Sequence, residues 1–241
     1  QADHYDYFIN AGAYTNVDKA ESEEEKCFTI NARALKWIAE YASDKTQIIH
    51  ISSDYVYNIN KTTPLVETDD TRPRGIYALS KLLGEELLKA IRPDSIIIRT
   101  SWVYSSFGNN FVKTMLRLGD KDALDIVSDQ IGAPTYARDL ATAIMQIITK
   151  ISDNPESDYG GIYNYSNGGR TNWADYARKI FELSQQDCKV NDTTTKAYNA
   201  PAHRPLWSVL SKDKIKASFD VKINAWDESL AICLSELKNS L

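Results

Sequence analysis

What this chain lacks narrows its function first. None of its ten glycines falls in a G-x-G-x-x-G or G-x-x-G-x-x-G pattern, so no phosphate-cradling turn from strand to helix is legible. Only three cysteines occur, Cys27, Cys188 and Cys233, odd in number and far apart. That spacing excludes a disulfide framework and a zinc knuckle, and leaves buried free thiols in a reducing cytoplasm as the expectation. No basic run appears and the net charge is −5, which argues against a nucleic-acid partner. No apolar stretch approaches the roughly 18 residues of a membrane span. The opening QADHYDYF has neither the basic nor the apolar region of a signal peptide. Repeats, low-complexity tracts and coiled-coil heptads are missing as well.

What is present is ordinary globular material: 241 residues, 43% hydrophobic and 25% charged, enough for one domain or one with a smaller lobe. Strand-like and helix-like segments alternate, the mark of an α/β fold with a Rossmann-like, mainly parallel sheet flanked by helices. A strand is expected from Tyr5 to Ala11, then a helix with acids at its start and an apolar face of Cys27, Ile30, Ala34, Trp37, Ile38 and Tyr41. Ser95–Ser101 reads as a buried strand, and Asn109 and Asn110 as caps of a helix running to Leu118. A strand over Leu124–Val127, a Gly/Pro turn over Gln130–Thr135 and a helix over Arg138–Ile151 follow. The composition then shifts, so residues 1–151 are expected to form the sheet domain. Residues 152–241 are expected to form mainly a small C-terminal lobe, with an approximate boundary and interleaved elements.

The richest stretch runs from Ile48 to Lys81. Ile48, Ile49 and Ile51 form a β-branched run ending in Ser52-Ser53-Asp54, and a turn-rich loop follows with Pro64, Pro73 and Gly75. From Tyr77 the pattern becomes helical, with leucines at three- and four-residue spacings. Tyr77 and Lys81 are i and i+4, which puts both on one helix face. Such a trio suits carbonyl reduction. Tyr77 would give its proton to a carbonyl oxygen, Lys81 would lower the phenol's pKa, and Ser53 would add a second hydrogen bond. Tyr-x-x-x-Lys also occurs at Tyr41/Lys45 and Tyr57/Lys61. Only the third copy opens a helix after a strand ending in Ser-Ser-Asp, and by pattern alone a structural tyrosine stands beside the catalytic one.

Seven segments carry a resemblance: INAGAYTNVDKAESE, HISSDYVY, YALSKLLGEE, IIIRTSWVY, GNNFVKTMLRL, DQIGAPTYARDLA and RPLWSVL. In that order, and over nearly the whole chain, they resemble the dTDP-4-dehydrorhamnose reductase family of extended short-chain dehydrogenases/reductases. The resemblance implies NADPH or NADH as cofactor and a dTDP-sugar as substrate. It makes Ser53, Asp54, Tyr77 and Lys81 the catalytic set. Asn10, Ala11, Gly12, Ala13, Asn31 and Thr100, with Tyr77 and Lys81, would hold the cofactor, and Asn31 would also distort its helix. Ser53, Trp102, Asn110 and Arg204 would meet the substrate, Trp102 as a flat cover for a sugar ring and Arg204 as a fork onto a phosphate.

The implied reaction is NAD(P)H-dependent reduction of the 4-keto group of dTDP-4-dehydro-L-rhamnose, a step of cell-surface polysaccharide synthesis. Two rivals stay open: another nucleotide-sugar epimerase or dehydratase of this fold, and a non-catalytic regulatory subunit. The resemblance places Tyr5–Ala11 at about the family's fourth strand, so the first βαβ part with its glycine-rich loop is expected to be absent here. Weak binding of a nicotinamide dinucleotide is the corresponding expectation. Arg138 stands where some family members carry a magnesium-binding acid, so no metal is expected. The resemblance allows a homodimer.

Overall fold

A strand buried on both faces is mainly apolar, and Ile48, Ile49 and Ile51 give that character to the middle of the sheet, with His50 buried among them. The structure is a computed structural model that describes residues 5–239. In chain order, β1 (Tyr7–Asn10) leads to α1 (Val17–Ala20), α2 (Glu24–Phe28), a π-helical turn (Thr29–Arg33) and α3 (Ala34–Tyr41). Next, β2 (Gln47–Ser53) runs through a 3₁₀ turn (Asp54–Val56) and a loop to α4 (Ile76–Ile91). β3 (Ile96–Thr100), β4 (Val103–Tyr104), α5 (Phe111–Leu118), β5 (Ala123–Val127), β6 (Ile131–Gly132) and β7 (Thr135–Tyr136) follow. The remainder comprises α6 (Ala137–Asp153), β8 (Gly161–Tyr165), β9 (Thr171–Asn172), α7 (Trp173–Ser184), β10 (Lys189–Thr193), α8 (Thr195–Tyr198), α9 (Asp213–Phe219) and α10 (Trp226–Asn239).

The main sheet is parallel, in the order β1-β2-β3-β8. One face packs on α3 and α4 through Leu35, Leu88, Ile48 and Ile97. The other packs on α6 and α9 through Leu140, Ile147, Ile215 and Phe219, against Ile49, Ile96 and Ile98. A separate core of Val112, Met115, Tyr176, Ile180 and Leu230 joins α5, α7 and α10 beside the parallel pair β5-β10. The two bodies interleave across a cut at 151–152. The fourth strand of the main sheet lies after that cut and part of the smaller core before it. A parallel neighbour can only be reached by a crossover, and here the chain builds half of the lobe before returning as β8.

The helix before β2 corrects an expectation. Trp37 and Tyr41 are 51% and 84% exposed, while Cys27, Asn31, Ala32, Leu35 and Ala39 are buried. The cause is the π turn, in which the Ala34 amide reaches back five residues to the Thr29 carbonyl. That extra residue rotates everything after it, so a simple 3.6 period misplaces the buried face. Asn31 sits inside the distortion. Its side chain accepts from the Tyr14 amide at 2.8 Å and donates to Ser80 Oγ at 3.0 Å, pinning the β1–α1 loop and α4 together.

Helix α4 docks closely because of Gly84. A Cβ built there would lie 2.2 Å from the Asn31 carbonyl oxygen, a backbone atom that cannot step aside. One residue on, Glu85 is buried in an ion pair with Arg99 of β3 at 2.6 Å and also accepts from Ser52. Gly84→Ala is expected to push α4 away from the π turn and to cost about 1–3 kcal/mol of stability, the usual range for overpacking. Denaturant unfolding checks this, and an unchanged midpoint would mean that α4 moves freely against that turn.

Candidate active site

Parallel strands end together, so β1, β2 and β3 bring their C-terminal residues to one edge, where α/β folds bind ligands. The registers align Asn10 with His50 and Ser53 with Thr100. A cavity of about 630 Å³ opens there. Ala11 and Ala13 line it after β1, Ser53 and Asp54 at the end of β2, and Thr100 and Trp102 at the end of β3. Tyr77 and Lys81 complete it from the first turns of α4. That helix starts sharply at Gly75, whose φ of +85° suits glycine, and the Ile76 amide is satisfied by Glu21 Oε1 at 2.9 Å.

The four residues of the expected catalytic set share this cavity. The Ser53 hydroxyl donates to Asp54 Oδ1 at 3.1 Å, and the Tyr77 ring meets Tyr55 edge-on at 5.3 Å. Burial raises the Tyr77 phenol to about 12, Ser53 draws it back, and Asp54 raises it further. This reverses the expected direction for Tyr77. The reason is burial, the largest of these influences, and the Lys81 ammonium is engaged elsewhere: Nζ donates to the Ile51 carbonyl at 2.8 Å and lies 3.3 Å from His50 Nε2. Burial in turn lowers Lys81 to about 8, opposed by the Glu85 charge.

Of the expected cofactor set, Ala11, Ala13 and Thr100 reach the cavity wall. Gly12 stands between the two alanines and donates its amide to Asn10 Oδ1 at 3.2 Å. Asn10 turns its amide nitrogen to His50 Nδ1 at 3.1 Å, and Asn31 is buried behind α4. A nicotinamide ribose fits the lining, which offers small apolar side chains beside the Tyr77 hydroxyl and the Lys81 amine.

Of the expected substrate set, Ser53 and Trp102 line the cavity. The Trp102 indole is stacked on Trp173 at 3.8 Å, so the two form an aromatic wall. Trp102 holds a left-handed φ of +50°, and the ring lies where a Cβ on Gly132 would sit, 2.8 Å away. Asn110 is not in the cavity lining. It caps α5 by accepting from the Lys113 amide and donates to the Ser105 carbonyl. Arg204 forks onto Asp18 at 3.1 and 2.8 Å, next to the cavity-lining Val17. Three participants went unforeseen: Tyr55, Trp173 and His50. Only His50, a lone polar side chain inside IIHIS, had a visible signal.

Asp54 is 2% exposed, and its Oδ2 has no hydrogen-bond partner among the described residues. Burial raises its carboxyl to about 7, with the Ser53 and Ser208 hydroxyls drawing it down. The native state thus keeps a proton that the unfolded chain loses near its ordinary pKa of 3.8. The associated stability is full below that value and is lost as pH rises through about 7, on the order of a few kcal/mol in all. Asp54→Asn cannot ionise and is expected to remove most of that decline. Unfolding measured at about pH 5 and pH 8 checks it, and parallel declines in both proteins would mean that native Asp54 is already ionised at the lower pH.

Comparison with known proteins bears on what such a cavity does. The model for the RmlD substrate binding domain matches residues 1–239. A dTDP-4-dehydrorhamnose reductase of Sinorhizobium fredii is 40% identical over 230 residues, covering 93% of this chain and 78% of the relative. Among solved structures, a dTDP-4-dehydrorhamnose reductase from Clostridium acetobutylicum superposes with a TM-score of 0.88 at 36% identity. That match covers 97% of this chain and 81% of the other. The Bacillus anthracis enzyme of the same name, solved in complex with NADP, gives 0.89 at 33% identity over 96% of this chain and 80% of its own.

Proposed function

Since the chain belongs to the RmlD substrate binding domain family, alongside dTDP-4-dehydrorhamnose reductases, we propose that its cavity carries out that reduction. The reaction is NAD(P)H-dependent conversion of the 4-keto group of dTDP-4-dehydro-L-rhamnose to the alcohol of dTDP-L-rhamnose. The observation that carries the reading is the convergence of Ser53, Tyr77 and Lys81 on one cavity at the strand ends. No helix among the described residues is long and apolar enough to cross a membrane, and a cytoplasmic enzyme of nucleotide-sugar synthesis is part of the same proposal.

When bound, NAD(P)H supplies the hydride, and Tyr77, Lys81, Ala11, Ala13 and Thr100 are the residues that would hold its reactive half. Tyr77 donates its proton to the substrate oxygen as negative charge develops there. A phenol raised to about 12 keeps that proton throughout the neutral range and releases it only to a strong base such as a nascent alkoxide. Ser53 provides a second O–H toward the same oxygen. Lys81, at about 8, is mainly an ammonium at neutral pH and stabilises the phenolate that Tyr77 leaves behind. The wall of Trp102 and Trp173 shields the reacting carbon from water. Arg204 reads the diphosphate by exchanging its Asp18 fork for a phosphate fork.

Tyr77→Phe removes the proton and keeps the ring. It is expected to lower turnover by about 10²- to 10⁴-fold, the usual worth of a general acid, with sugar-nucleotide affinity nearly unchanged. Loss of reduced-nicotinamide absorbance in step with sugar turnover is the assay. A variant within about threefold of wild type would take Tyr77 out of the mechanism, and sugar turnover without net oxidation of NAD(P)H would favour an epimerase.

A further inference from the structure

Behind the catalytic lysine lies a histidine to which the mechanism above gives no task. His50 is 1% exposed, in the middle of β2. Its Nε2 lies 3.3 Å from Lys81 Nζ and its Nδ1 lies 3.1 Å from Asn10 Nδ2. A neutral imidazole has one N–H and one bare nitrogen, yet nitrogen-bearing groups face it from both sides. The hydrogen bonds therefore cannot be assigned independently. If Lys81 is an ammonium donating to Nε2, the ring proton must sit on Nδ1 and needs an acceptor, and among the described residues the side chain against Nδ1 is Asn10, whose Oδ1 can accept. The Asn10 amide must then turn over and release the Gly12 amide that Oδ1 now holds. If Lys81 is a neutral amine, it accepts from Nε2–H, bare Nδ1 accepts from Asn10 Nδ2, and Oδ1 keeps Gly12.

The geometry points to His50 as a positioning residue for Lys81, one that shifts its ring proton between its nitrogens as Lys81 gains or loses charge and so turns the amide of Asn10, the residue before the cavity-lining Ala11. The proton balance is simple. Ammonium plus Nδ1–H imidazole becomes amine plus Nε2–H imidazole, with one proton released to solvent. The imidazole itself stays neutral, since burial first and the Lys81 charge second hold its pKa well below the ordinary histidine value. Of the other groups around Lys81, Tyr77 and Glu85 share its helix, Cys27 approaches from α2, and Arg99 acts on it through Glu85. Asp54 faces Tyr77. Only His50 among them links the lysine to the loop carrying Ala11 and Ala13. Ionisation of Lys81 is thereby tied to the shape of the wall where the cofactor's reactive half would lie, a consequence that rests on the reductase reading for its use in catalysis.

The test follows the ring proton first and activity second. Long-range proton–nitrogen correlation spectra of the wild-type chain distinguish the two imidazole tautomers, and His50→Gln identifies the His50 signals among the three histidines of the sequence. The expected result is an Nδ1–H tautomer at neutral pH giving way to Nε2–H as pH rises through the Lys81 ionisation near 8. A single tautomer kept across that range overturns the proposal. In turnover, His50→Gln offers the ammonium a permanent acceptor and should move the alkaline limb of kcat upward by up to about one pH unit, a tenfold change in proton affinity. His50→Leu offers none and should move the limb down. Limbs that coincide in all three proteins also overturn it. If the tautomer exchanges and no NAD(P)H is oxidised at saturating cofactor, the reductase reading fails while the coupling stands.

Discussion

The site depends on how α4 is held against the sheet. The Arg99–Glu85 ion pair, buried on both sides, ties the helix to β3 one turn beyond Lys81. Removing either partner would strand a charge away from water, and breaking such a pair typically costs about 3–5 kcal/mol. The close approach at Gly84 and the Asn31–Ser80 bond fix the same helix against the π turn. Three contacts of different chemistry thus set one rigid-body position. Only in that position do Tyr77 and Lys81 open onto the ends of β1, β2 and β3.

Desolvation is the second organising force. Tyr77, Asp54, Lys81 and His50 are all displaced toward their neutral forms chiefly by burial. The cavity therefore holds its protons on the tyrosine and the aspartate and loosens them on the lysine. A ligand that carries or develops negative charge meets few competing anions there. Strong ion pairs are kept outside the lining, in Arg99–Glu85 behind α4 and in Arg204–Asp18 beside α1.

The lobe built from α5, α7 and α10 contributes the far wall. Trp173 opens α7 and stacks on Trp102, which follows β3, so one aromatic contact joins the two cores across the cavity. The left-handed backbone at Trp102 is unfavourable for a bulky residue, and its persistence marks a conformation over-determined by that stack and by Gly132. The glycine of DQIGAPTY makes room for an indole that comes from thirty residues earlier in the chain.

How much was legible in the sequence follows from the range of each interaction. The helical period alone places Tyr77 and Lys81 on one face, and a β-branched run ending in Ser-Ser-Asp places Ser53 at a strand end. Those are local rules, and they made the fold class and the candidate trio legible, with the trio's proposed catalytic roles implied by the family resemblance. The tertiary structure decided the rest. One added residue in the π turn rotated the helix face that periodicity assigned to Trp37 and Tyr41. Asn110 kept the capping place that its residue type suggested, and Arg204 was taken up by Asp18, a partnership that residue type does not reveal. The direction of the Tyr77 shift was also decided there. Burial is the largest influence on that phenol, and burial is a property of the packed fold. Sequence fixes which groups share a helix face; only packing fixes which of them water and charge can still reach.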